Sequence, residues 1–145
     1  MSVIYVLNGP NLNLLGSREP EVYGTFSLGD LEASLQSWAL SKDQTIKVLQ
    51  TNSEDGLIGW IHAAIKEKSS VVINPAAFTH YSYALRDACA ALTGSGLSLI
   101  EVHISNPHSR ETFRHNSVIS GVANGVIAGF GIDSYLLALE QLSRR

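Results

Sequence analysis

Five short apolar runs, each closed by a polar break, constrain this chain most. Val3-Ile4-Tyr5-Val6-Leu7 stops at Asn8-Gly9-Pro10, and Val71-Val72-Ile73 stops at Asn74-Pro75. Ile46 to Gln50, Leu97 to His103 and Gly125 to Phe130 complete the set. Runs of this length bounded by Gly, Pro or Asn read as buried strands. Between them the spacing changes to threes and fours. Leu28, Leu31, Leu35, Trp38 and Ala39 form one helical face, and Leu57, Ile58, Ile61, Ala64 and Ile65 form another. A helix is expected from about Tyr81 to Leu92, and Tyr135, Leu136, Leu139 and Leu142 give the last helix its core face. Ser27 with Asp30, and Ser53 with Glu54 and Asp55, supply helix starts.

Strand alternating with helix means βαβ units and a parallel sheet. The predicted class is α/β, flavodoxin-like, with five parallel strands in the order 2-1-3-4-5 and helices on both faces. The order follows from the class rather than from individual residues. A length of 145 residues suits one domain, 1–145. Asn11 to Phe26 breaks the pattern: Gly16, Pro20 and Gly24 interrupt it and no period emerges. It is read as a long loop, of the kind that serves as a lid or stays disordered. A short helix is expected near Glu111 to His115.

In open parallel sheets, ligands bind beyond the carboxyl ends of the strands. Glu101 and His103 lie two apart on the fourth run, so they share a face. A central parallel strand should be apolar on both faces. These two residues therefore mark either a site or a solvent-facing edge strand. A carboxylate beside an imidazole fixes its tautomer and supports its protonated form. Ser105, Asn106 and His108 follow, and the amides of Ile104 and Ser105 are placed to bind an anion. Asn74 and His80 fall at the same sheet edge. Either, alone, is also a turn or cap residue.

Arg110 and Arg114 share a face if helical, holding one carboxylate or hydroxylated ligand, or forming a solvated basic face paired with Glu111. Arg18 and Tyr23 lie in the long loop. A free phenol has a pKa of ~10, and arginines in a water-poor site favour its ionised form. Tyr23 is thus either a base or a loop residue that packs.

The formal charge of −3 and the lack of a basic run give no reason to expect nucleic acid. No stretch approaches the ~18 apolar residues of a membrane span, and no secretory signal is evident, so a cytoplasmic protein is expected. The single cysteine, Cys89, reads as a packed thiol. Histidine and cysteine spacing suggests no metal, no phosphate-cradling glycine motif is present, and none of the four lysines is placed for imine chemistry.

Asn8-Gly9-Pro10-Asn11-Leu12, Gly16, Arg18-Glu19-Pro20 and Tyr23-Gly24 resemble the opening signature of the type II 3-dehydroquinate dehydratases. Asn74-Pro75, Thr79-His80, Ala84 to Ala88, Glu101 to Asn106, Arg110, Phe113-Arg114 and Gly125 to Gly129 resemble that family's later motifs, in order. The resemblance implies a lyase that dehydrates 3-dehydroquinate to 3-dehydroshikimate through an enolate, in the shikimate pathway or quinate catabolism. It implies Tyr23 as base, Arg18 beside it as lid residue, and Asn11 holding a water against the enolate oxygen. His103 would be the acid, oriented by Glu101 and assisted by Asn74. Ile104 and Ser105 would bind the carboxylate, His80 and Arg114 the ring hydroxyls, and Arg110 would add charge. Asp87 would reach a neighbouring subunit's site. It also implies no cofactor and a homododecamer built as four trimers.

Ala76 stands where the family commonly has glycine, Tyr81 where a small polar residue is usual, and Gly121 where proline is frequent. Two other classes compete: a non-catalytic binder of a polyhydroxy acid, and a flavin carrier. The second lacks a phosphate loop after the first run.

Overall fold

In the computed structural model, which describes residues 3–144, the apolar runs form one five-stranded sheet. The strands are β1 (Ile4–Asn8), β2 (Ile46–Gln50), β3 (Val71–Asn74), β4 (Leu99–His103) and β5 (Gly125–Ala128). All pairings are parallel and the order is β2-β1-β3-β4-β5, as the class predicts. The longer helices are α2 (Leu28–Ser41), α3 (Glu54–Glu67), α4 (Tyr83–Gly94) and α5 (Ile132–Ser143), with a one-turn α1 at Pro20–Tyr23.

Strand side chains alternate between faces, and the two cores follow that alternation. Ile4, Val6, Val72, Ile100 and Val102 pack with Leu31 and Leu35 of α2 and Leu139 and Leu142 of α5. Tyr5, Leu7, Val71, Ile73 and Leu99 pack with Leu57 and Ile61 of α3 and Leu85, Cys89 and Leu92 of α4. Cys89 is fully buried, and burial pushes its thiol up to about 12. It is a core residue.

Helix starts follow local chemistry. Ser27 accepts from the Asp30 amide at 3.0 Å while the Asp30 carboxylate accepts from the Ser27 amide at 3.0 Å. Ser53 accepts from the Gly56 amide at 3.2 Å. α4 begins two residues later than the spacing predicts, because Ala76–His80 wind as a 3-10 turn and Ser82 takes the cap, accepting from Leu85 N at 3.1 Å. The fifth strand ends at Ala128 rather than Phe130, since Gly129 turns to φ 95°.

The 11–26 segment differs from a plain loop. A 3-10 turn at Leu12–Leu14 and helix α1 divide it. Pro20 at the first helical position and Gly24 at the end, with φ 86°, delimit α1. Leu12, Leu15 and Tyr23 bury in the α2/α5 core, so apolar anchors hold the segment across the strand ends.

β1 and β3 meet closely at their carboxyl ends. The Gly9 amide donates to the Asn74 carbonyl at 2.8 Å, and a Cβ at position 9 would lie 2.6 Å from the Pro75 carbonyl oxygen. Only glycine permits that approach. Ala76 takes φ 52°, a left-handed conformation that costs a non-glycine residue about 1 kcal/mol, while the residue packs against the α2/α5 core. Tyr81 is exposed, and nothing lies within 4 Å of a Cβ built at Gly121.

Candidate active site

The strand carboxyl ends and the 11–26 segment enclose one cleft. Asn11, Arg18, Tyr23, Asn74, His80, His103, Ile104, Ser105, Arg110 and Arg114 all line it. Glu101 stands behind His103, and Asp87 is an exposed residue of α4, paired with Arg86 at 2.9 Å, that does not line the cleft. Ten of the twelve residues singled out by sequence therefore converge. Among the described residues no carboxylate lines the cleft, whereas three arginines do. On a chain with formal charge −3, this is a local cationic site suited to an anion.

β4 lies between β3 and β5, so Glu101 is not on an edge strand. Its side chain points to the α3/α4 side with no exposure. One carboxylate oxygen accepts from His103 Nε2 and from Thr79 Oγ1 at 2.6 Å. The other accepts from Ser120 Oγ at 2.6 Å, and Ser117 Oγ lies 3.1 and 3.2 Å from the two oxygens. Burial alone would raise the Glu101 pKa. Hydrogen bonding and charge from His103, with the Ser120 and Thr79 hydroxyls, outweigh it and hold the carboxyl below its usual range. The pairing through Nε2 leaves Nδ1 of His103 for chemistry.

His80 Nδ1 lies 2.8 Å from the Asn116 carbonyl. A carbonyl only accepts, so Nδ1 carries hydrogen and neutral His80 keeps a lone pair on Nε2. Burial lowers the His80 pKa, the nearby Arg114 and His103 charges add to this, and the Asn116 bond only partly opposes it.

Two guanidinium groups lie over the Tyr23 ring, Arg18 at 4.8 Å and Arg110 at 5.0 Å from its centroid. Tyr23 is buried and shares the cleft with Asn74 and His103. Arg110 and Arg114 reach that cleft without sharing a helix. The expected helix is a 3-10 turn, Thr112–His115, and Arg110 precedes it. Arg114 Nε donates to Glu111 at 2.8 Å, so the pairing with Glu111 and the cleft position coexist.

Asn11 has φ 69°, and its amide donates to Asn52 Oδ1 at 3.0 Å. Gln50 Nε2 donates to both Asn52 Oδ1 and the Gly9 carbonyl at 3.1 Å. The end of β2 thus braces the turn that carries Asn11. Sequence reasoning missed Asn52, Thr79, Ser117 and Ser120 as supports. Thr79 had a signal, its place beside His80; the serines had none. Among the described residues, no group of three or more His, Cys, Asp or Glu side chains is arranged to hold a metal ion, and no helix is long and apolar enough to cross a membrane.

Comparison with known proteins shows the family. The profile of the family "Dehydroquinase class II" matches residues 2–143. A 3-dehydroquinate dehydratase of Salinispora tropica is 51% identical over 142 residues, covering 98% of this chain and 97% of that protein. A 3-dehydroquinate dehydratase of Xanthomonas oryzae pv. oryzae is 52% identical over 146 residues, covering 100% and 97%. The crystal structure of the type II dehydroquinase from Propionibacterium acnes superposes with a TM-score of 0.95 at 47% identity, covering 100% of this chain and 98% of that one.

Proposed function

This chain belongs to the class II dehydroquinase family, and we infer that its cleft performs the dehydration of 3-dehydroquinate to 3-dehydroshikimate. The observation that carries the reading is that Tyr23, beneath two guanidinium groups, and the His103–Glu101 pair line or back one cleft.

The proposed reaction moves one proton off carbon and one onto oxygen. Tyr23, as phenolate, takes the proton from C2, and the electron pair passes into the neighbouring carbonyl as an enolate. Asn11 holds a water against that oxygen, where negative charge develops. The enolate then collapses, the C1–O bond breaks, and His103 protonates the departing hydroxyl, so water leaves. Glu101 keeps His103 oriented through its carboxylate contact with Nε2. Loss of the proton from Tyr23 and uptake of one by His103 then restore both groups. The step is redox neutral.

Binding follows from the same side chains. The Ile104 and Ser105 amides take the substrate carboxylate, His80 and Arg114 take ring hydroxyls, and Asn74 assists at the leaving oxygen. Arg110 and Arg18 supply positive charge around Tyr23 and the anionic substrate.

Purified protein mixed with 3-dehydroquinate is expected to generate a conjugated enone, followed by its near-ultraviolet absorbance. Borohydride added during turnover is expected to leave activity intact, since no imine forms. Absence of the enone overturns the reaction, and inactivation by borohydride overturns the enolate route in favour of a lysine.

Self-association is part of the proposal. The outer strand β5 carries no charged side chain from Gly125 to Gly129, and Val126 and Leu137 are exposed beside one groove. Native edges are usually charged or covered, which supports a partner copy there, and the family resemblance implies twelve chains. Asp87, exposed on α4, would then be available to a neighbour's site. Light scattering is expected to read a mass near twelve chains of 15.6 kDa. A mass of one chain overturns this assembly.

A further inference from the structure

Asn8 and Asn74 are register partners at the ends of β1 and β3. Both continue the alternation of Val6 and Val72, so their side chains point to the α2/α5 side. There they meet the hydroxyl of Tyr135, a fully buried residue in the first turn of α5. Asn74 Nδ2 lies 2.8 Å from the Tyr135 oxygen, and that oxygen lies 2.7 Å from Asn8 Oδ1. Asn8 Nδ2 lies 3.1 Å from the Leu49 carbonyl, and Asn74 Oδ1 lies 3.1 Å from the Ala76 amide.

The two ends of this chain are backbone groups with only one possible role. Ala76 N–H can only donate, so the Asn74 atom facing it is the oxygen. The Asn74 nitrogen therefore faces Tyr135 and donates to it. Tyr135 is left to donate to Asn8 Oδ1, and Asn8 nitrogen donates to the Leu49 carbonyl, which can only accept. Every link has one direction. Burial also keeps the Tyr135 phenol protonated, raising its pKa against the smaller effect of the Asn74 bond.

We propose that Tyr135 is a positioning residue that locks the polarity of Asn74, so that Asn74 presents an N–H donor, never a carbonyl, to an oxygen of the bound substrate. The proposal rests on the functional reading above, in which Asn74 assists at the leaving oxygen. Asn74 Oδ1 is occupied by Ala76, and one Nδ2 hydrogen by Tyr135. The second Nδ2 hydrogen remains for the cleft that Asn74 lines. A donor at that oxygen favours departure as hydroxide being protonated; an acceptor would oppose it. Sequence spacing carries no trace of this link, because Tyr135 is 61 residues from Asn74 and 127 from Asn8.

The test measures turnover of 3-dehydroquinate and melting temperature for the unaltered protein, Tyr135→Phe, Asn74→Ala, their combination, and Asn74→Asp. Tyr135→Phe keeps the buried ring and is expected to lower kcat roughly tenfold, about the effect of one misplaced hydrogen bond. In the Asn74→Ala background the same change is expected to cost no further turnover, since Tyr135 acts through Asn74. A merely structural role would give multiplying losses. Asn74→Asp, nearly isosteric but an acceptor, is expected to lose at least as much turnover as Asn74→Ala. Wild-type turnover in folded Tyr135→Phe, multiplying losses, or an active Asn74→Asp each overturns the proposal. Should Tyr135→Phe fail to fold, Asn74→Asp decides alone. Failure of the unaltered protein to act on 3-dehydroquinate instead overturns the functional reading on which the proposal stands.

Discussion

Tyr23→Phe is expected to lower turnover of 3-dehydroquinate by about 10²–10⁴, the usual contribution of a positioned general base, with the melting temperature unchanged. The ring is what buries in the α2/α5 core, and phenylalanine keeps it. The hydroxyl is what accepts the proton, and phenylalanine lacks it. Arg18 and Arg110 lie over this ring, and positive charge favours a phenolate over a phenol. Their field has nothing to act on once the oxygen is gone. Steady-state kinetics beside a thermal melt separates the two effects. Activity retained in a folded Tyr23→Phe protein assigns the base to another group.

His103→Ala is expected to act on both rate and stability. The rate falls by about 10²–10⁴ with the loss of the acid. Stability falls by about 3–5 kcal/mol near neutral pH, because removing one partner strands a buried carboxylate. Glu101 has no exposure, and the Thr79, Ser117 and Ser120 hydroxyls are neutral donors. Its carboxyl is held below the ordinary value of 4.5 in the native protein, despite burial, mainly through His103. Such a group stabilises the fold above its unfolded pKa, and that contribution is lost as pH falls through the lower folded pKa. Without His103, burial dominates and Glu101 takes up a proton at higher pH. The deficit of the variant is therefore expected to shrink as pH falls through the raised pKa of the unpaired carboxyl, above the ordinary 4.5, and on down to the lowered pKa of the native pair. Urea titrations of both proteins across pH 3.5 to 7 measure it. A deficit independent of pH would mean that the lost packing, rather than the stranded charge, destabilises the variant.

Much of the site was legible because a parallel sheet has few ways to be wrong. Period-two alternation assigns Glu101 and His103 to one face, and polar residues where Val, Ile and Leu belong mark the strand ends. Asn8-Gly9-Pro10 and Asn74-Pro75 announced two such ends, and sheet order places them side by side. Arg18 and Tyr23 were legible only as members of a motif. Their segment has no period, and its path across the cleft depends on Leu12, Leu15 and Tyr23 finding a core that α2 and α5 build later in the chain. The edge-strand alternative for Glu101 could be settled only by β5 pairing beyond β4.

Local rules act over a few residues, and here they determined strands, helix caps, the sheet class and which side chains stand at the carboxyl edge. Tertiary structure alone decided which hydroxyls hold Glu101, which guanidinium groups cover Tyr23, and which way Asn74 points. Those contacts join distant segments, Asn74 and Tyr135 being 61 residues apart, and a hydrogen bond's direction is set by the partner at its far end. Backbone periodicity carries no information about that partner until the chain has closed around it.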